Sequence, residues 1–210
     1  MAYETDEQQV EALKAWWDEN GTSIIVAVVV ALAVVGGWRG WQAWQGNQAQ
    51  LASRVYAELI DTVERDDAAA AGHFDTLKAD YAGTPYATLG ALHEAKRLVQ
   101  ASDLSGAATA LRYAVDNADD ADLKAVAGLR LARVLLEQGE HAAALDALPA
   151  EAPASFEALT ETVRGDVLLA QNKISEARAA YERARESTAD AADDALLDMQ
   201  ILDLSGRANP

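Results

Sequence analysis

Cysteine is absent from the 210 residues, which removes disulfides and thiolate metal sites while leaving the redox compartment open. Only three histidines occur, His73, His93 and His141, and no two stand at the i, i+3 or i+4 spacing that would aim two imidazoles at one metal. Nucleophile elbows, Walker loops and dinucleotide-binding glycine patterns are missing too. Asp119-Asp120 and Asp193-Asp194 read as solvated helix starts rather than as a paired acid and base. Neither a cofactor nor a small-molecule substrate is expected, and the chain does not read as an enzyme. Bases are scarce as well: 17 against 34 acids, a net charge of −17. The first 45 residues hold six of those acids and two of the bases, so the remainder carries 28 and 15, a net of −13. Such a surface repels phosphate backbones and argues against nucleic-acid binding.

One absence is local. From Asn20 to Trp38, in NGTSIIVAVVVALAVVGGW, there is no charged side chain. At ~1.5 Å per residue a helix over this segment reaches about 28 Å, close to the hydrocarbon thickness of a bilayer. All five tryptophans flank it, Trp16 and Trp17 on one side and Trp38, Trp41 and Trp44 on the other. An indole is best placed where acyl chains meet headgroups, so the two groups mark two interfaces. A buried core helix is the soluble alternative, but a β-branched run with tryptophans at both ends and no polar face is unusual there. A cleaved signal peptide is the other alternative, with Ala31-Leu32-Ala33 as a nominal cleavage triplet. It would need a basic leader, whereas residues 1–19 contain six acids and Lys14 as the sole base. The reading is therefore a retained anchor: a short acidic amphipathic segment over 1–20, a transmembrane helix over 21–45, a helical domain over 46–205 and a tail over 206–210. Membrane lipid is thus an expected partner. Gly36 and Gly40 form a G-x-x-x-G pattern within the span, a candidate contact for another membrane helix.

Thr5-Asp6-Glu7-Gln8 reads as a capping box opening a helix with Val10, Leu13, Trp16 and Trp17 on one face, and Asn20-Gly21 as its stop, leaving a short helix against the headgroups. No proline precedes Pro85, so the spanning helix is free to continue into Leu51, Val55, Leu59, Ile60 and Val63. Strand alternation is nowhere persuasive, and Asp66-Asp67, Gly83-Thr84-Pro85, Asn172-Lys173 and Ser205-Gly206 separate pieces of helical length. The class is all-α.

A repeat organises these helices. Ala95, Ala132 and Gly165 align with offsets of 37 and 33, as do Leu98, Leu135 and Leu168, then Ala107, Ala144 and Ala177, then Leu111, Leu148 and Tyr181. A weaker first unit places Ala70 and Phe74 in the last two columns. Small and large positions in fixed register are the contacts of tetratricopeptide-like helix pairs stacked as an α-solenoid, although the tryptophan and proline of the consensus are lacking. DDALLDMQILDL reads as a closing helix with Leu196, Leu197 and Leu202 turned inward. In such a stack the first helix of each pair lines the concave face, which puts Leu92, Leu129 and Thr162, then Lys96, Arg133 and Asp166, then Val99, Leu136 and Leu169 in equivalent groove positions. There Lys96 and Arg133 would hold an acidic segment or a chain terminus. The other assignment of this row gives its leucines to the inter-helix core and pairs its bases with nearby acids.

The order VEALKAWWDENG, apolar span, GWRGWQAW, DLKAVAGLRLARVLL and RGDVLLAQNKISEARAAYE resembles the ancillary SecYEG translocon subunit family of tetratricopeptide-like membrane proteins across nearly the whole chain. The resemblance implies a single-pass protein of the bacterial inner membrane, with a cytoplasmic N-terminus and a periplasmic domain. It further implies association with the Sec translocon and with a membrane-anchored periplasmic chaperone, and no catalytic residues. Bases beside the span are too evenly divided to give this orientation independently. A peptide-binding chaperone or adaptor that works apart from the translocon is the alternative function.

Overall fold

A computed structural model describes residues 6–62, 67–188 and 191–207. Thr5, Val63 and Asp66, part of the expected capping box, helix extension and turn, lie outside these, as do the side chains of Asp6 to Gln8, Asp67, Asp193, Asp194 and Ser205. Among the described residues the regular structure is helical: α1 Asp6–Thr62, α2 Asp67–Asp80, α3 Pro85–Gln100, α4 Leu104–Asn117, α5 Ala121–Glu137, α6 His141–Ala147, α7 Glu157–Ala170, α8 Ile174–Ser187 and α9 Ala191–Arg207, with one 3-10 turn at Ala154–Phe156. The chain divides into two units, Met1–Gln48 and Ala49–Pro210.

In the first unit α1 does not stop at Asn20-Gly21. The Asn20 amide donates to the Trp16 carbonyl at 3.0 Å, inside the same helix, so the residue expected to cap a C-terminus braces the turn before it. Gly21 lies under the Trp17 ring, where a Cβ would come within 3.0 Å of Cε2. The separate headgroup helix is thus corrected to the first turns of one continuous helix. Continuity suits the medium, because a backbone break in hydrocarbon would leave polar groups unsatisfied. Val28, Val29 and Val30, which point in three different directions, are 51%, 59% and 55% exposed, and Trp16, Trp17, Trp38, Trp41 and Trp44 are exposed too. An apolar helix bare on every side is not a core helix; it is the transmembrane anchor.

The second unit is the helical repeat. The aligned small positions Ala95 and Ala132 are buried with Gly165, the next small set Ala107, Ala144 and Ala177 is sealed, and Leu111, Leu148 and Tyr181 fill the space between helices. Ala70 and Phe74 are buried in the same columns of the first repeat, and Leu59 from the end of α1 joins Phe74 and Leu77 in that core. Backbone geometry follows the register as well. Ser102, Gly139 and Asn172 take φ of 63°, 76° and 59°, and are spaced by the same 37 and 33 residues. At each, two N–H groups turn back onto the helix just ended: Ser102 to Val99 and Asp103 to Leu98, Gly139 to Leu136 and Glu140 to Leu135, Asn172 to Leu169 and Lys173 to Leu168. These are Schellman turns, which satisfy otherwise orphaned carbonyls and redirect the chain into the second helix of each pair. Between pairs, Asp120 caps α5 by accepting from the Leu123 N–H at 2.8 Å, so this acid is the helix start that the sequence suggested.

The closing helix is corrected in register. Leu197, Ile201 and Leu204 are its buried face, at i, i+4 and i+7, whereas Leu196 and Leu202 are 52% and 74% exposed. A helix turns ~100° per residue, so one inward stripe through Leu197 and Ile201 excludes the leucines at 196 and 202 that adjoin it in sequence.

Candidate functional site

The first helices of the pairs, α3, α5 and α7, present one face bearing two adjoining grooves. The first, about 290 Å³, lies between α3 and α5 and is lined by Leu92, Lys96, Val99, Gln100, Arg130 and Arg133 together with alanine, leucine and valine. The second, about 580 Å³, lies between α7 and α9 and is lined by Leu159, Thr162, Leu196, Leu197, Gln200 and, again, Arg133. Arg133 is therefore the shared wall.

Of the residues expected here, Lys96, Val99 and Arg133 meet in the first groove. Leu92 contributes a buried floor at 7% exposure, while Leu129, at 2%, is core and does not line it. Leu136 is half-buried against that core, and Thr162 falls in the second groove. Asp166 turns to α8, accepting from the Tyr181 hydroxyl at 2.7 Å. Burial raises the pKa of Asp166, an effect the Tyr181 hydrogen bond and the charge of Arg133 oppose, and burial followed by Asp166 itself raises that of Tyr181. This pair is a structural tie across α7 and α8.

Aligning the repeats overlooked Arg130. It shares a repeat column with His93 and Val163, a column without chemical pattern, although it stands three residues from Arg133 and so on the same helical face. Its presence makes the electrostatics of the site. Burial lowers the pKa of His93, and the charges of Lys96 and Arg130 lower it further. The ring is held by the Tyr56 hydroxyl at 3.2 Å. Several other bases of the domain are neutralised: Arg97 by Glu94 at 2.7 Å, Arg164 and Arg183 by Glu161, Arg178 by Glu182 and Arg185 by Asp198. Among the described residues Lys96, Arg130 and Arg133 have no acid within ion-pair distance, and no acid lines either groove. Described histidine and acid side chains form no cluster of three able to hold a metal.

Anchor, stacked helix pairs and an open face with unpaired cations define a single-pass membrane protein built for protein–protein contact. The family described as a tetratricopeptide repeat-like domain matches residues 14–206. Ancillary SecYEG translocon subunits are similar along almost their whole length: that of Haemophilus influenzae is 34% identical, covering 89% of this chain and 92% of the relative, and that of Escherichia coli (strain K12) is 31% identical, covering 97% and 98%. A third, from Aggregatibacter actinomycetemcomitans, is 33% identical over 89% and 92%. The chain belongs to this ancillary SecYEG translocon subunit family of tetratricopeptide repeat-like proteins. No solved structure matches it significantly.

Proposed function

We propose that this protein is an ancillary subunit of the Sec translocon in a bacterial inner membrane, that its N-terminus is cytoplasmic and its repeat domain periplasmic, and that it links the channel to a membrane-anchored periplasmic chaperone. The observation that carries the reading is the extent of the likeness: relatives named for the translocon match across anchor and repeat domain together, not over the repeat alone. A binding activity without catalysis accords with what the relatives are named for and with an open, non-enclosing site. Long domains cross regardless of weak charge bias, so the acidic surface is no obstacle to a periplasmic location.

Two experiments test the reading. Single cysteines at Ser102 and Ser187 should react with a membrane-impermeant maleimide in intact spheroplasts; labelling only after lysis would place the domain in the cytoplasm. Gly36 and Gly40 are the proposed contact with another membrane helix. A Cβ at either meets no further atom of the described chain within 4 Å, so the space beside both glycines is open for a second helix that Leu at both positions would obstruct. Recovery of the channel should fall in that variant, and unchanged recovery would make the glycines incidental.

A further inference from the structure

Among the described residues the three cations of the first groove stand unpaired, in a domain where acids outnumber bases by 28 to 15. Arg164 and Arg183 share Glu161, whereas Lys96, Arg130 and Arg133 converge on one apolar groove. No acid lines this groove, and the exposed Val99 beside the cations, with Leu159 and Leu196 beyond Arg133, adds apolar surface left open by the described residues. We propose that this face, from α3 across α5 to α7 and α9, docks an extended protein segment that is acidic at one part and apolar at the next. Its carboxylates pair with Lys96, Arg130 and Arg133, and its apolar side chains lie over Val99 and against Leu159 and Leu196. Guanidinium groups suit this role because their planar fork can take a carboxylate through two hydrogen bonds. A polyanion such as nucleic acid is the wrong occupant: the surrounding net charge of −13 repels it beyond the groove, and it offers nothing to the leucines. The inference goes beyond translocon association and is independent of it, since the segment is defined by chemistry and not by which protein bears it.

The test uses the purified full chain in detergent and three fluorescent peptides of equal length, with Asp/Leu, Asp/Ser or Lys/Leu composition, read by anisotropy. The Asp/Leu peptide should bind most tightly, the Asp/Ser peptide weaker and the Lys/Leu peptide not at all. Combined Lys96→Glu, Arg130→Glu and Arg133→Glu should weaken Asp/Leu binding at least about tenfold, the product of three exposed ion pairs. Raising salt from about 0.05 M to about 0.5 M should weaken it likewise by screening. The milder Lys96→Gln, Arg130→Gln, Arg133→Gln variant gives the same readout if the reversed charges disturb folding. Leu159→Ser with Leu196→Ser should bring the affinity for Asp/Leu down to that for Asp/Ser. Equal binding of Asp/Leu and Lys/Leu, or a folded Gln variant that binds as the parent does, would overturn the proposal, and so would displacement of the peptide by single-stranded DNA of matched charge.

Discussion

Replacing Gly165 with Ala probes the repeat packing at its tightest point. In the two preceding pairs the same column holds Ala95 and Ala132, opposite Leu111 and Leu148; only in the third is the small residue glycine and the large one tyrosine. A Cβ at 165 would sit 2.5, 2.7 and 2.8 Å from three ring carbons of Tyr181, where carbon atoms normally rest ~3.5 to 4 Å apart. The ring cannot swing away, being 1% exposed and tied to Asp166 at 2.7 Å. Overpacking of this kind costs up to about 3 kcal/mol. The gain of about 1 kcal/mol from replacing glycine inside a helix offsets part of it. A net loss of about 2 kcal/mol remains, or roughly 4 to 8 °C in Tm for a domain of this size. Tyr181→Leu alone opens a cavity and leaves Asp166 without its donor, costing about 2 to 4 kcal/mol. The double variant restores the alanine and leucine pairing of the other repeats, so in the Tyr181→Leu background Gly165→Ala should raise Tm instead of lowering it. Thermal unfolding of all four proteins, followed by circular dichroism in one detergent, gives the coupling. Additive effects, or destabilisation by Gly165→Ala in both backgrounds, would refute the register on which the repeat assignment rests.

Two further outcomes follow from the same geometry. Gly139→Ala should cost about 1 kcal/mol, because its φ of 76° disfavours a side chain, whereas Ser102→Gly at the equivalent turn should stabilise by about 0.5 to 1 kcal/mol; denaturant midpoints measure both. His93 has a folded pKa below its ordinary 6.5, so the unfolded chain takes up a proton first as pH falls and the native state loses stability from about pH 7 downward until the folded imidazole itself titrates. His93→Gln, which can still bond the Tyr56 hydroxyl, should flatten that part of the stability profile, and an unchanged profile would place the titration elsewhere.

Size patterns made the fold legible, since alternation of alanine with leucine at fixed offsets reports directly on how closely two helices approach. The turns were half visible: Asn172 and Gly139 are residue types that tolerate positive φ, but Ser102 gives no such sign and is placed there by the two hydrogen bonds that close its helix. Asn20-Gly21 misled because turn chemistry is judged against water, and a side chain that braces the Trp16 carbonyl within the helix reverses its meaning. Leucine-rich α9 hid its register, since Leu196 and Leu197 are equally apolar and only the packed neighbour decides between them. At the site, Lys96 and Arg133 could be read from the repeat, but Arg130 could not, as its importance lies in having no described acid nearby, a property of three helices together.

The central proposal is attachment to the translocon through the membrane anchor. Photoreactive residues installed at Val34 and Trp41 of the anchor and, separately, at Val99 of the groove, each irradiated in native membranes, test it most directly. Crosslinks from the anchor to a translocon subunit, lost in the Gly36→Leu, Gly40→Leu variant, are the expected result. Anchor positions that capture only lipid or proteins unrelated to the channel, in a chain that remains membrane-inserted and folded, would contradict it.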